Sequence, residues 1–285
     1  MSPSHWQTSR FCIDLSRPRV MGIVNVTPDS FSDGGRFVER ETAITHGLAL
    51  VAQGAAIVDV GGESTRPGSD GVDEAEELRR VVDVVAGIRA ASGVPISIDT
   101  MKSGVAAAAI AAGATLVNDV TAGTFDPRIV DVVRDAGVDV CIMHMQGRPR
   151  TMQDDPRYDD VVREVGEHLA ARVDALVAAG IDPRRIAVDP GIGFGKTVAH
   201  NVALLAGTQA LGAATGCPVL VGVSRKRFLG DLLGDPDGDR TLASVAAGLA
   251  AVERGAWALR VHDVAPHAEA LAVLRPVLGS ATVPA

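Results

Sequence analysis

The sequence predicts one closed (β/α)8 barrel. Eight short apolar runs recur along 285 residues, and a Gly/Pro/Ser-rich loop and an Ala/Leu/Val-rich helical stretch lie between successive runs. Strand and helix alternating eight times is the pattern of a barrel, and one barrel of this kind takes up a chain of this length.

The runs are Val20 to Asn25, Ala56 to Gly62, Pro95 to Thr100, Thr115 to Val120, Val138 to Met145, Arg185 to Gly191, Pro218 to Ser224 and Ala258 to Asp263. They are nearly continuous in apolar residues, as strands buried on both faces must be. Helical stretches include Glu41 to Gln53, Glu74 to Ala91, Val161 to Ala179 and Thr241 to Arg254. Gly54, Gly113, Gly137, Gly180 and Gly255 follow such stretches as C-cap signals. Periodicity does not show closure, so a doubly wound open sheet is the alternative. Residues 1–19 are expected to cap the barrel's N-terminal side, with the catalytic barrel over 20–280.

At 47% hydrophobic the chain can bury a large core, and at 3% aromatic that core is aliphatic. A net charge of −8 argues against a non-specific grip on nucleic acid or anionic lipid. Cys12, Cys141 and Cys217 are odd in number and without CxxC spacing, which suggests neither a disulfide framework nor a zinc site and fits a reducing cytoplasm. No run approaches the ~18 apolar residues of a membrane span, and no export signal is evident.

Barrel active sites are built at the C-terminal ends of the strands. There the sequence places Asn25, Gly61-Gly62-Glu63, Asp99, Asn118-Asp119, Met143-His144, Asp189, Ser224-Arg225-Lys226, and Arg260 with His262. Helix capping explains any one of these about as well as function does, but not their convergence on one mouth. Asp99, Asn118 and Asp189 offer carboxylate and amide groups to a flat heterocycle with an amidine-like edge. Arg225, Lys226, Arg260 and His262 form a basic cluster after the last two strands, the usual phosphate site of such barrels. A helix expected to begin at Ser224 adds an anion-friendly dipole. Surface salt bridging is the plainer reading for Arg225.

Loops 25–35 and 61–69 are irregular and adjacent, and could close over a substrate. Asp189 to Thr197 (DPGIGFGKT) is neither a Walker A loop nor a dinucleotide fingerprint, because Pro190 and the glycine spacing break both patterns. Its glycines let backbone pass close to a ligand, with Phe194 available to stack, while Lys196 reads as a solvated side chain. His144 reads as a hydrogen-bonded structural residue more readily than as a base, and the remaining histidines show no ligand spacing.

MGIVNVTPDSFSDGG, GGESTRPG, SIDT, NDV, MHMQG, DPGIGFGKT, GVSRKRFLG and RVHDV, in order from Val20 to Val264, resemble the successive signatures of the dihydropteroate synthases. The resemblance implies a pterin pocket of Asp99, Asn118, Met143, Asp189, Phe194, Gly222 and Lys226. It implies a pyrophosphate site at Asn25, Arg66, Arg260 and His262, with Mg2+ held at Asn25. It implies a p-aminobenzoate site at Phe31, Thr65, Arg66, Pro67, Ser224 and Lys226. Asp99, Asp189, Lys226, Arg260 and His262 carry the catalysis in this reading. A homodimer and sensitivity to sulfonamides also follow from the resemblance. Ile192 and Arg227 depart from the pattern without touching an assigned position. A pterin-barrel methyltransferase, a non-catalytic pterin-binding paralogue and a sugar-phosphate barrel enzyme are the competing readings. The first would not need Arg66 or Ser224, the second predicts decayed loop motifs, and the third leaves Asp99, Asn118 and Asp189 without a partner.

Overall fold

The computed structural model describes residues 5–7, 12–14, 17–26, 36–64, 69, 71–147 and 151–277. Eight parallel strands close into a barrel: β3 (Arg19–Asn25), β4 (Ile57–Gly61), β5 (Ile96–Asp99), β6 (Leu116–Asp119), β7 (Asp139–Met143), β8 (Ile186–Asp189), β9 (Val219–Val221) and β10 (Ala256–Val261). Strand β10 pairs with both β3 and β9, which completes the ring and removes the open-sheet alternative. Ahead of it, β1 (His5–Gln7) and β2 (Cys12–Asp14) form an antiparallel pair. Strand β1 lies beside the 3-10 turn Pro183–Arg185 that leads into β8, at the N-terminal pole of the barrel.

The helices are α1 (Arg36–Ala52), α2 (Glu74–Ala91), α3 (Ser103–Ala112), α4 (Arg128–Ala136), α5 (Val161–Ala178), α6 (Val198–Ala206), α7 (Thr208–Thr215), α8 (Arg227–Leu233), α9 (Thr241–Glu253) and α10 (Val264–Val277). Two crossovers, β8 to β9 and β9 to β10, carry two helices each. All five glycines expected to end helices have positive φ, as a left-handed C-cap requires. No helix among the described residues is long and apolar enough to cross a membrane.

The period of two divides the strands into an inner and an outer layer. Met21, Ile57, Leu116, Cys141, Ala187, Leu220 and Ala258 pack together inside the barrel. Val24, Val58, Val60, Ile98, Val117, Ile142, Val188 and Val221 face outward and join Val84, Ile88, Leu169 and other helix residues in the larger core. The inward positions that follow the inner apolar residues along each strand lie at its C-terminal end. There Gly61 pairs with Asp99, Asp99 with Asn118, and Met143 with Asp189. The same alternation that packs the core therefore aims these groups into one mouth.

One expectation fails at β9. The helix expected at Ser224 begins at Arg227 instead. Arg225 has φ 58°, a left-handed conformation through which a right-handed helix cannot run. Ser224 is a loop residue, and α8 is only seven residues long.

Candidate active site

At the floor of the mouth, Arg260 is held from two sides. Its Nε donates to Asp59 Oδ2 at 2.6 Å and its Nη2 to Asp99 Oδ2 at 2.6 Å. Asn118 Nδ2 donates to the same Asp59 oxygen at 3.2 Å. These short charge-assisted contacts fix the guanidinium plane. Burial raises the pKa of the Asp99 carboxyl, and the Arg260 charge opposes that rise. Burial works against the Arg260 cation, but Asp59 and Asp99 outweigh it and drive its pKa further up.

Asp189 and Lys226 form the second part of the ring. Burial raises Asp189, while Lys226 and the Gly191 backbone N–H, 2.7 Å from its Oδ1, pull it back. Burial likewise pushes the Lys226 ammonium down to about 8, with Asp189 opposing. Lys226 Nζ donates to the Ile192 carbonyl and lies 4.5 Å from the centre of the Phe194 ring, a cation–π contact. A Cβ placed on Gly222 would sit 3.8 Å from Asp189 Oδ2 and 3.9 Å from Arg260 Cβ. The protein itself would tolerate a side chain there, so what the glycine keeps open is the space above these two groups. Met143 is buried on the neighbouring strand.

The structure thus brings Asp99, Asn118, Met143, Asp189, Phe194, Gly222, Lys226 and Arg260 together. His262 stands at the end of β10, where its backbone N–H donates to Ser224 Oγ at 3.1 Å and its Nδ1 lies 3.2 Å from the same oxygen. Arg225 is committed to Asp263 through two contacts at 2.9 and 2.5 Å, which is the surface salt bridge of the plainer reading. Asn25 ends β3 half-buried and pairs with Gly61 on the neighbouring strand. Phe31, Thr65, Arg66 and Pro67, and with them most of the two loops expected to close, lie outside the described residues.

Lys196 overturns its sequence reading. It is 3% exposed rather than solvated, with Nζ 3.0 Å from His144 Nδ1 and 2.9 Å from the Phe194 carbonyl. The loops after β7 and β8 cross so closely that water is excluded from it. His144 is hydrogen-bonded to Lys196, and burial lowers its pKa to about 3, so the imidazole is neutral.

Sequence reasoning missed two further groups. Asp59 is fully buried inside the barrel, two residues before Gly61 and on the same face. The available signal was a carboxylate inside the apolar run AIVDVGG, where a charge needs a partner. The second group joins Glu63, Glu77 and Lys102. The Lys102 ammonium contacts both carboxylates, with Glu77 fully buried. It stands beside the point where the chain leaves β4 for residues 65–70.

No group of three His, Cys, Asp or Glu side chains among the described residues could hold a metal ion. Among the described residues, Asn25 is compatible with a Mg2+ ion. The Asn25 amide oxygen is a hard ligand, and Mg2+ commonly takes the rest of its shell from substrate phosphates and water.

This fold and this ring define a barrel enzyme that holds a flat nitrogen heterocycle beside an anion. The family model described as "Pterin binding enzyme" matches residues 21–262. A dihydropteroate synthase of Neisseria meningitidis serogroup C is 49% identical over 269 residues, which is 93% of this chain and 95% of that one. A structure of the Xanthomonas albilineans dihydropteroate synthase with 4-aminobenzoic acid superposes with a TM-score of 0.90 at 49% identity, covering 99% of each chain. The same enzyme in complex with 7,8-dihydropteroate gives a TM-score of 0.87 at 47% identity, covering 98% of this chain and all of that one. The chain belongs to the dihydropteroate synthases, within the pterin-binding enzymes.

Proposed function

We propose that the chain joins 6-hydroxymethyl-7,8-dihydropterin pyrophosphate to p-aminobenzoate, giving 7,8-dihydropteroate and pyrophosphate, a step of folate biosynthesis. The observation that carries this is the convergence of Asp99, Asn118 and Asp189 with Lys226 and Arg260 on one mouth. The amino-pyrimidinone edge of a pterin offers adjacent N–H donors to the carboxylates and an acceptor to Lys226, and Phe194 and Met143 supply its walls.

In the proposed mechanism the C–O bond to pyrophosphate breaks first, and the electron pair leaves with the pyrophosphate oxygen. The electron-rich ring shares the positive charge. Asp99 and Asp189 favour that cation electrostatically. Arg260, with Nε and Nη2 committed to carboxylates, would attract the leaving anion with its remaining charge, and His262 assists. Mg2+ bound at Asn25 would neutralise charge on the departing pyrophosphate. The p-aminobenzoate nitrogen then forms the new C–N bond, and the anilinium releases its proton to solvent without a strong base. Thr65, Arg66, Pro67, Phe31, Ser224 and Lys226 are the proposed p-aminobenzoate contacts. The same site makes sulfonamides competitive inhibitors. A homodimer and a cytoplasmic location complete the proposal. Cys141 and Cys217, both buried and free, are in keeping with such a compartment.

The test is pyrophosphate release by the purified chain, with and without p-aminobenzoate. Release that depends on p-aminobenzoate, with dihydropteroate forming in step, is expected. A folded protein that binds the pterin but releases nothing would instead be a non-catalytic paralogue. Positional isotope exchange within the pyrophosphate, faster than product formation, is the expected mark of departure before attack.

A further inference from the structure

The motif DPGIGFGKT contributes a residue that the proposed mechanism does not use. Lys196 is almost wholly buried behind the wall of the mouth. Its Nζ has three neighbours: His144 Nδ1 at 3.0 Å, the Phe194 carbonyl at 2.9 Å and the His144 carbonyl at 3.4 Å. An ammonium has three N–H donors and no acceptor, so the three neighbours account for all of them. A neutral His144 carrying its proton on Nε2 presents Nδ1 as the acceptor that this arrangement needs. All three partners are uncharged. Holding a buried cation in this way is costly, so Lys196 gives up its proton more readily than a solvated lysine does.

The loops it joins are the two that wall the mouth. The one after β7 follows Met143, and the one after β8 carries Phe194. They touch along their length. A Cβ on Gly191 would fall 1.9 Å from the His144 carbonyl oxygen, and one on Gly195 would fall 2.4 Å from that of Gln146. The Tyr158 hydroxyl donates to the Gly195 carbonyl at 3.0 Å, and Gly193 N–H donates to Asn201 Oδ1 at 2.7 Å.

We propose that Lys196 is a positioning residue of the pterin pocket, whose ammonium ties these two loops together and so sets Phe194 and Met143 against the ring. The inference rests on the pterin reading of the mouth. A neutral amine has one N–H fewer, so one of the three acceptors is released and the wall loosens. The ammonium also adds attraction for an anionic pterin diphosphate.

Asp99, which burial raises to about 7, and Lys226, which burial lowers to about 8, titrate in the same range as Lys196, so the comparison of wild type with a Lys196 variant is what isolates this lysine. His144 ends β7, His168 stands on α5 with its ring 4.9 Å from that of His144, and His200 on α6 lies 5.0 Å from Tyr158. Burial lowers the pKa of all three imidazoles, and it pushes Tyr158 up to about 12. Asp189 on β8 and Lys226 ahead of α8 are the nearest opposite and like charges. Burial and then Lys226 lower Lys196 to about 7, with Asp189 opposing. The sign follows. Between pH 7 and 10.5 the unfolded chain binds more protons at this lysine than the folded one, so it makes stability rise with pH. Pterin affinity moves the opposite way, falling as the ammonium is lost. A purely structural lysine would not separate the two.

The experiment is direct binding of 6-hydroxymethyl-7,8-dihydropterin pyrophosphate from pH 6 to 9, on the wild-type chain and on Lys196→Met, with KM for p-aminobenzoate measured alongside. Wild-type affinity is expected to fall through pH 7. The variant is expected to bind about tenfold more weakly at pH 6.5, the scale of one buried charged hydrogen bond, to lose the step near pH 7 and to leave the p-aminobenzoate KM unchanged. Should Lys196→Met not fold, Lys196→Arg, which stays charged throughout this range, is expected to lose the step near pH 7, and a folded Arg variant that keeps the wild-type step overturns the proposal. So does a folded Met variant with wild-type pterin affinity. A wild-type chain that binds no pterin refutes the functional reading instead.

Discussion

Removing the Asp59 carboxylate is expected to damage stability and turnover together, and two variants separate the causes. Asp59 Oδ2 accepts from both Arg260 Nε, at 2.6 Å, and Asn118 Nδ2, at 3.2 Å, while its Oδ1 has no partner. In Asp59→Ala both donors lose their acceptor in a fully buried place. Breaking one side of a buried ion pair costs ~3–5 kcal/mol, and the lower end applies here because Arg260 keeps Asp99. In Asp59→Asn the amide oxygen can take the Oδ2 position and keep both contacts. Its NH2 then occupies the unpartnered Oδ1 position, at a cost of ~1–3 kcal/mol. The expected order of urea midpoints is wild type, Asn, Ala. Loss of about 2.7 kcal/mol of transition-state positioning at Arg260 would lower kcat/KM about a hundredfold in the Ala variant. Chemical unfolding and initial rates of pyrophosphate release measure the two. An Ala variant matching wild type in both would refute Asp59 as the anchor of Arg260.

Gly191→Ala is expected to unfold the barrel or cost more than ~3 kcal/mol, because its φ is +68° and the new methyl would meet the His144 carbonyl at 1.9 Å; a thermal midpoint within a few degrees of wild type would contradict the described crossing of the two loops. Lys102→Met leaves the Glu63 and Glu77 carboxylates buried together without their cation, for an expected loss of ~3–5 kcal/mol in denaturant titration. Asp139, at the N-terminal end of β7, is buried and its pKa is pushed up to about 8. The folded chain therefore holds a proton that the unfolded chain has released. The stability this confers is complete below about pH 4 and is lost as pH rises toward 8. Asp139→Asn should lose less stability than wild type between pH 5 and 8, and parallel curves would rule the assignment out. Chelating Mg2+ should stop turnover without moving the unfolding midpoint, since no cluster of metal-binding side chains among the described residues needs an ion.

The barrel was legible because a strand buried on both faces leaves a continuous apolar run, and eight such runs survive in the chain. Their ends were less legible. Val138 to Met145 reads as one run, but regular strand stops at Met143, where His144 turns out to meet Lys196. Helices α7 and α8, with eight and seven residues, are too short to show a period of 3.6. The β1–β2 pair has three residues per strand and no alternation to detect.

Within the site, the residues that were legible are those at strand ends. Asp99 and Asp189 end their strands and Asn118 stands one residue before the end of its own, so they could be read as candidates for one mouth from sequence alone. Asp59 was hidden because it lies one step deeper, inside a run whose apolar neighbours mask it. Lys196 was misread because nothing local buries it. Its burial is made by the β7 loop, some fifty residues earlier in the chain. Both omissions are charges placed where the sequence offers no adjacent counter-charge, and this is what ties the site together. Burial raises Asp99 and Asp189 and lowers Lys196 and Lys226, so each carboxylate and each ammonium is poorly stable alone. Arg260 opposes the shift of Asp99, Lys226 that of Asp189, and Asp189 those of both lysines, and a ligand that offers donors to the carboxylates and an anion to the cations relieves both strains at once. An acidic chain of net charge −8 can thereby bind two anionic substrates, because the field that matters is set within the ring by a few paired groups rather than by the surface as a whole.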